Sequence, residues 1–187
     1  QPAFSEASFG LGTPPEQGAP GSENPVEITL SGGSSFFLRG SIDRMDRQDD
    51  GNWRIRDYKT GAPFVLDSSD PLENGRRLQY ALYVRAADIL LKNCGFDGTV
   101  ADTGYLFPGQ KGQGRDLSLP ADTVVNALDG VLAEAFDTMR DGLFSGSADK
   151  KVCGYCDWAK LCRWDPGNGN RIAPAAEDDG TKGAGQS

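Results

Sequence analysis

The sequence predicts an α/β fold in which a mixed β-sheet is flanked by helices. Two neighbouring segments, Phe36 to Arg47 and Asn52 to Gly61, alternate apolar and polar residues as β-strands do. Between them lies the cluster QDDGN, whose Asp50-Gly51 pair is a strong hairpin signal. Strand and helix patterns then alternate along the chain, which is typical of an α/β domain.

The remaining elements follow from the spacing of apolar residues. Val26 to Leu30 predicts a strand before the hairpin, and Leu78 to Leu91 predicts a helix after it. Val100 to Phe107 and Arg115 to Leu119 predict two more strands. Pro120 to Arg140 predicts a long amphipathic helix, because its apolar residues recur every three or four positions.

Composition predicts one domain with disordered ends. Residues 26–165 are long enough for a single core, and the Cys-rich segment 153–162 closes this domain. Residues 1–25, rich in Gly, Pro and Ser, predict a disordered linker, and residues 166–187 predict a disordered tail. No apolar run is long enough for a membrane span and no signal-peptide pattern occurs, so we expect a cytoplasmic protein without a membrane partner.

Three charged residues of the predicted hairpin indicate a site for a divalent cation. Asp57 and Lys59 are two residues apart, so their side chains share one face of a strand. Pairing of the two strands brings Asp43 to the same patch. Two carboxylates held together out of water are costly without a cation. The alternative is a surface hairpin whose Asp and Lys residues serve solubility.

The order of four motifs adds a resemblance to a known family. GSIDRMDR, DYKTG, the Q-x-x-x-Y of Gln79 and Tyr83, and a C-x2-C-x5-C segment together resemble the RecB-type nuclease domain of the PD-(D/E)xK superfamily. The C-terminal domain of AddB-like helicase-nuclease subunits and the CRISPR-associated RecB-like exonucleases are the most similar. The resemblance covers about Phe36 to Arg163 and implies a restriction-endonuclease-like fold. It also implies a Mg²⁺- or Mn²⁺-dependent DNA exonuclease that acts with a helicase domain or subunit in DNA repair and recombination.

The resemblance also implies residue roles. Asp43 and Asp57 match the metal-binding acids, and the carbonyl of Tyr58 matches a further metal ligand. Lys59 matches the lysine that positions or activates the attacking water. Two carboxylates and a carbonyl suit Mg²⁺, which prefers oxygen ligands and keeps several waters. Two more residues, Gln79 and Tyr83, match those that position this water and the DNA strand.

The cysteines resemble a cluster site. Cys153, Cys156 and Cys162 match the last three ligands of the [4Fe-4S] cluster of AddB-like nuclease domains. The first ligand of that pattern lies upstream of the nuclease core, where this sequence has no Cys, and Cys94 is misplaced for it. We therefore expect a cluster in the full-length protein and an incomplete site here. Structural zinc, reduced thiols and a disulfide are the alternatives.

One departure from the family leaves a second function open. RecB-type nucleases carry a His or an acidic residue on a helix before the first catalytic strand, and this sequence has no His at all. The alternative is thus a catalytically incomplete module that binds DNA or a partner. The chain carries a net charge of −8, which argues against avid autonomous DNA binding, although arginines concentrate near the predicted site. Those arginines either form a basic cleft or pair with neighbouring aspartates on the strands.

Overall fold

The computed structural model describes residues 3–15, 17–143, 150–158, 161–162, 164–165 and 170–171. The chain forms two compact units, Gln1–Asp137 and Thr138–Ser187. The first unit contains a five-stranded sheet. Its strands, as they lie side by side, are β1 (Phe4–Phe9), β4 (Gly40–Arg47), β5 (Trp53–Tyr58), β6 (Val100–Phe107) and β7 (Arg115–Pro120). β5 and β6 run parallel and the other neighbours run antiparallel, so the predicted mixed sheet is confirmed.

The predicted strand from Phe36 to Arg47 is wrong as a single element. Val26–Thr29 (β2) and Ser35–Leu38 (β3) pair as a separate two-stranded sheet, and β4 begins at Gly40 in the large sheet. A side chain at position 40 would approach the Tyr83 hydroxyl within 3.3 Å, so glycine allows this close passage. The alternation of apolar and polar residues continues through the break, which is why periodicity alone does not detect it.

The segment 1–25 differs from the predicted linker, because it contains edge strand β1. This strand pairs with β4 from the Phe4–Met45 pair to the Phe9–Gly40 pair. Phe9 is fully buried and its ring contacts Tyr83 edge-on, at a centroid distance of 6.3 Å. Apolar burial on one short strand therefore outweighs the Gly- and Pro-rich composition of the segment as a whole.

Two long helices complete the first unit. Helix α1 (Gln79–Asn93) contacts β2, β5 and β6, and its buried face includes Tyr80, Val84 and Leu91. Helix α2 (Ala121–Arg140) buries Val124, Leu128 and Leu132, a stripe with the spacing of one helix face. An ion pair between Arg85 and Asp129, with an N–O distance of 2.7 Å, joins the two helices. Both helices lie where the sequence predicts them, with ends shifted by at most two residues.

The second unit includes a one-turn helix α3 (Lys150–Gly154) and a short pair of strands, β8 (Trp164–Asp165) and β9 (Asn170–Arg171). The predicted disordered tail, residues 166–187, otherwise lies outside the described residues. No helix within the described ranges is both long and apolar enough to cross a membrane.

Candidate active site

The β4–β5 hairpin places Asp43 opposite Asp57. A tight turn closes the hairpin: Gln48 N–H donates to the Asn52 carbonyl at 2.8 Å, and Gly51 has a φ of 87°. The register then runs from Arg47–Trp53 to Arg44–Arg56. One further step along this register pairs Asp43 with Asp57, so the two carboxylates leave neighbouring strands at the same level.

The backbone hydrogen-bond ladder between β4 and β5 ends next to Asp43 and Asp57. Tyr58 N–H donates to Asp43 Oδ2 at 2.8 Å instead of to a β4 carbonyl. Lys59 N–H donates to the Leu106 carbonyl of β6 at 2.9 Å. Because backbone groups alternate between the two neighbouring strands, the carbonyl of Tyr58 faces the β4 side, where Asp43 lies. This is the position that the predicted role of the Tyr58 carbonyl requires.

Strand β4 carries Asp43 between two buried residues. Ile42 and Met45 are three residues apart and so lie on opposite faces of the strand, and both are buried. The register of β4 stays constant against β1 and against β5, although Glu6 of β1 has a positive φ of 54°. Packing on both faces therefore fixes the position from which the Asp43 carboxylate reaches the backbone of β5.

Asp57 is a buried carboxylate beside a single cation. The residue is 5% exposed, and its Oδ2 lies 2.5 Å from Lys59 Nζ. This separation makes Lys59 the ion-pair partner of Oδ2, an atom that is itself buried. Burial raises the pKa of Asp57 above 3.8 and the Asp43 carboxylate raises it further, while Lys59 lowers it. The folded protein therefore holds a carboxylate whose charge is only partly compensated.

The two residues of the Q-x-x-x-Y motif meet on the first turns of α1. Gln79 Nε2 donates to the Tyr83 hydroxyl at 3.0 Å. Tyr83 is half-buried between Phe9 and Gly40, whereas Gln79 is exposed. The helix thus fixes the tyrosine by packing and leaves the amide accessible. Gln79 also lines a cleft together with Lys59, so the motif and the hairpin share one region of the surface.

The donor set fits a hard divalent cation. Two carboxylates on adjacent strands, one of them buried, and an adjacent backbone carbonyl are suitable for Mg²⁺ or Mn²⁺. Across the described residues, no three His, Cys, Asp or Glu side chains are grouped closely enough to hold a metal ion. Asp43 and Asp57 would therefore be the two side-chain ligands here, a number that Mg²⁺ accepts.

The cysteines of the predicted cluster are exposed or half-buried and free. Cys153 lies in α3 and Cys156 comes two residues after the helix ends, and Cys156 N–H donates to the Cys153 carbonyl at 3.3 Å. Cys162 N–H donates to the Trp158 carbonyl at 2.8 Å. Within the described part of the chain these three thiols do not form a metal-binding group. Cys94 ends α1 in the first unit.

Two arginines of β5 belong to an ion-pair network that sequence reasoning missed. Arg54 pairs with Asp102 at 3.1 Å, and the buried Arg56 pairs with Asp102 of β6 and Asp116 of β7, each at 2.5 Å. On β4, Arg44 pairs separately with Asp46 at 2.9 Å, as the alternative interpretation of these arginines predicts. The alternation of Arg54 and Arg56 along β5 was the available signal, but their acidic partners on β6 and β7 are not visible in one sequence. These arginines stabilise the sheet.

The fold and the site together define a class of protein. A mixed sheet flanked by helices, with Asp43 facing an Asp57-Tyr58-Lys59 strand end, is a restriction-endonuclease-like α/β core. The sequence matches the profile of the PD-(D/E)XK nuclease superfamily over residues 2–163. The chain belongs to this superfamily, whose members are generally metal-dependent nucleases. A comparison with curated proteins found no match.

Proposed function

We propose that this protein hydrolyses phosphodiester bonds of DNA with Mg²⁺ or Mn²⁺ at a site formed by Asp43, Asp57 and Lys59. The observation that carries the proposal is the buried carboxylate of Asp57, level with Asp43 and 2.5 Å from Lys59 Nζ. A lone surface hairpin would hydrate its carboxylates instead of burying one. Membership of the nuclease superfamily supports the same chemistry.

Each residue has a role in this proposal that its surroundings support. Asp43, Asp57 and the Tyr58 carbonyl would hold the cation, which when bound would polarise a phosphate oxygen and lower the pKa of a water molecule. Lys59 is 38% exposed on its side chain, so its ammonium can face both Asp57 and a phosphate of the substrate. It would stabilise the negative charge that develops on the phosphate in the transition state. Gln79 would contact the water or the DNA strand, with Tyr83 orienting its amide.

The experiment is cleavage of labelled single- and double-stranded DNA with Mg²⁺ or Mn²⁺, beside an EDTA control. Asp57→Ala should abolish metal-dependent cleavage, and Lys59→Ala should lose about 2 to 4 kcal/mol of transition-state stabilisation. Asp49→Ala is the matched control, because Asp49 is exposed in the turn at the other end of β5. Equal cleavage by all three variants and the wild type would refute the site assignment.

We further propose exonuclease action with a helicase domain or subunit in DNA repair, on the resemblance to AddB-like and RecB-type nucleases. Such an enzyme would act in the cytoplasm and would require a DNA end. Linear DNA should therefore be degraded and covalently closed circular single-stranded DNA should survive. Cleavage of both at similar rates would contradict the exonuclease assignment. DNA binding without cleavage by the full-length protein would favour the catalytically incomplete module.

We also propose that Cys153, Cys156 and Cys162 ligate a [4Fe-4S] cluster together with a fourth ligand in the full-length protein. The support is the C-x2-C-x5-C spacing and the accessibility of all three thiols. Iron and sulfide analysis of the full-length protein purified without oxygen tests this, and an iron-free protein of normal activity would refute it.

A further inference from the structure

A basic cleft lies beside the candidate active site. Its volume is about 380 Å³, within the range of small-ligand sites. Lys59, Arg76 and Arg77 line it, together with the single acid Glu73 and the exposed Gln79. Three basic groups in one cleft contrast with a net charge of −8 for the whole chain. The cleft therefore concentrates positive charge where the proposed substrate would enter.

An unusual turn directs the arginines into the cleft. Three successive residues before them, Glu73, Asn74 and Gly75, have φ values of 47°, 53° and 82°. Left-handed backbone at two non-glycine residues is strained, and such strain concentrates at functional sites. The Asp70 carboxylate compensates by accepting from the Asn74 N–H and from its Nδ2, each at 3.0 Å. The chain leaves this turn directly into α1.

Arg77 is held in place by several contacts. Its guanidinium lies 3.4 Å from the centroid of the Phe64 ring, and its Nε is 2.6 Å from Glu73 Oε1. The Tyr105 ring lines the same cleft and lies 5.5 Å from Lys59 Nζ. A guanidinium has five N–H donors in a planar fork, so these contacts leave donors for a ligand. A side chain ordered in this way is suited to bind a phosphate without a large entropic cost.

We propose that this cleft binds a phosphate of single-stranded DNA adjacent to the scissile one, through Arg76 and Arg77. The position of the scissile phosphate beside Lys59 rests on the proposed function. Binding of a second phosphate can be measured without cleavage, so the two proposals can fail separately.

Glu73 gives the cleft a second property. Its carboxylate orients Arg77 over Phe64, yet it also repels a phosphate that enters the cleft. Glu73 thereby limits the affinity of the subsite. An enzyme that removes nucleotides in succession must move each phosphate out of this position after a step, so a moderate affinity serves turnover.

The main experiment measures binding of a fluorescent single-stranded oligonucleotide by anisotropy in EDTA, over a range of salt concentrations. Arg76→Ala and Arg77→Met should each weaken binding about five- to tenfold, and the slope of log K against log salt should fall by about 0.7 for each lost contact. Methionine at position 77 retains packing on Phe64, and circular dichroism checks the fold. Glu73→Gln removes the repulsion and should tighten binding about threefold.

Lys92→Ala is the matched control, because it removes one exposed positive charge at the other end of α1, about 20 Å along the helix axis. The proposal is overturned if Arg76→Ala and Arg77→Met bind like Lys92→Ala, or if the wild type does not bind.

A second measurement separates the subsite from the chemistry. Thymidine 5′-(4-nitrophenyl) phosphate has one phosphate and cannot occupy both positions at once. Arg76→Ala should raise KM for an oligonucleotide by a clearly larger factor than it lowers kcat/KM for this small diester. An equal loss on both substrates would overturn the subsite. No cleavage of either substrate by the wild type would refute the proposed function, while the binding differences among the variants would still support the subsite.

Discussion

Removal of the charge of Asp57 is expected to stabilise the protein when no metal is present. The carboxylate is 5% exposed, and burial and Asp43 raise its pKa above 3.8. A raised pKa in the folded state means that the ionised form opposes folding at neutral pH. Asp57→Asn keeps the shape of the side chain and removes this cost. It also removes the attraction to Lys59, but that ammonium is 38% exposed and stays hydrated, so the loss is small.

The expected gain follows from these opposing effects. Burial of a polar group whose lost hydration is only partly replaced costs about 1 to 3 kcal/mol. Loss of the half-exposed ion pair with Lys59 returns up to about 1 kcal/mol of that. A net stabilisation of about 1 kcal/mol corresponds to a rise in Tm of about 2 to 4 °C for a chain of this size. The gain should shrink as the pH falls through the raised pKa of Asp57 and vanish below the ordinary pKa of an aspartate, where the wild-type carboxylate is protonated in both states.

A bound metal ion should make the wild type more stable than Asp57→Asn, the reverse of the order expected without metal. At a concentration of Mg²⁺ or Mn²⁺ that is 100 times its Kd, the ion stabilises the wild type by about 2.7 kcal/mol, which is about 5 to 11 °C in Tm. Asp57→Asn should lose most of this response. Thermal unfolding in EDTA and in a metal titration, at neutral and acidic pH, measures both effects, with Asp49→Asn as the exposed control. Equal Tm values for wild type and Asp57→Asn in EDTA, together with equal responses to metal, would refute the reasoning.

Two further predictions concern the scaffold. Phe9→Ala should destabilise the protein by about 3 to 5 kcal/mol, since Phe9 is fully buried, whereas Phe37→Ala should cost little because Phe37 is 73% exposed. Denaturant unfolding compares the two, and equal costs would argue against β1 as part of the core. Arg56→Ala should cost about 3 to 5 kcal/mol because it removes a buried charge from between two acids, whereas Arg54→Ala, at a 38% exposed side chain, should cost less than about 1 kcal/mol. The same unfolding curves test this, and a cost for Arg56→Ala no larger than that for Arg54→Ala would contradict a buried network.

Much of the fold was predictable because local signals agreed with the tertiary structure. Asp50-Gly51 closes the predicted hairpin, and Val100–Phe107 forms a strand with the predicted ends. Helix α2 follows its apolar spacing from Ala121 to Arg140. In each case one short stretch of sequence contains the whole signal, either a turn pair or a repeated apolar position.

The errors arose where distant residues decide the structure. The break before Gly40 depends on the approach of Tyr83 from α1, and β1 depends on pairing with a strand more than 30 residues later. Sequence periodicity reports only on neighbouring positions, so it could not detect any of these contacts.

The sequence predicts which residues form the candidate site, but not how deeply they are buried or which contacts hold them. Asp57 and Lys59 share a strand face in any extended chain, so their meeting needed no structure. The burial of Asp57, the turn that orients Arg77 and the separation of the β4–β5 ladder at Asp43 needed the fold. These are also the features that make a surface hairpin an inadequate explanation.

Strand β5 combines a rigid half with a reactive half, and this division explains how the site tolerates its own repulsion. Trp53 and Ile55 are almost completely buried, and the Trp53 indole N–H donates to the Asp97 carbonyl at 2.9 Å. On the same face, Asp57 follows directly, where the ladder to β4 has ended and a carboxylate of β4 replaces a backbone acceptor. The close packing of Trp53 and Ile55 fixes the backbone position of Asp57. The strand therefore cannot rotate to move the Asp57 carboxylate away from that of Asp43. Only a cation, a proton or Lys59 can then compensate the charge, and of these a divalent ion compensates both carboxylates at once.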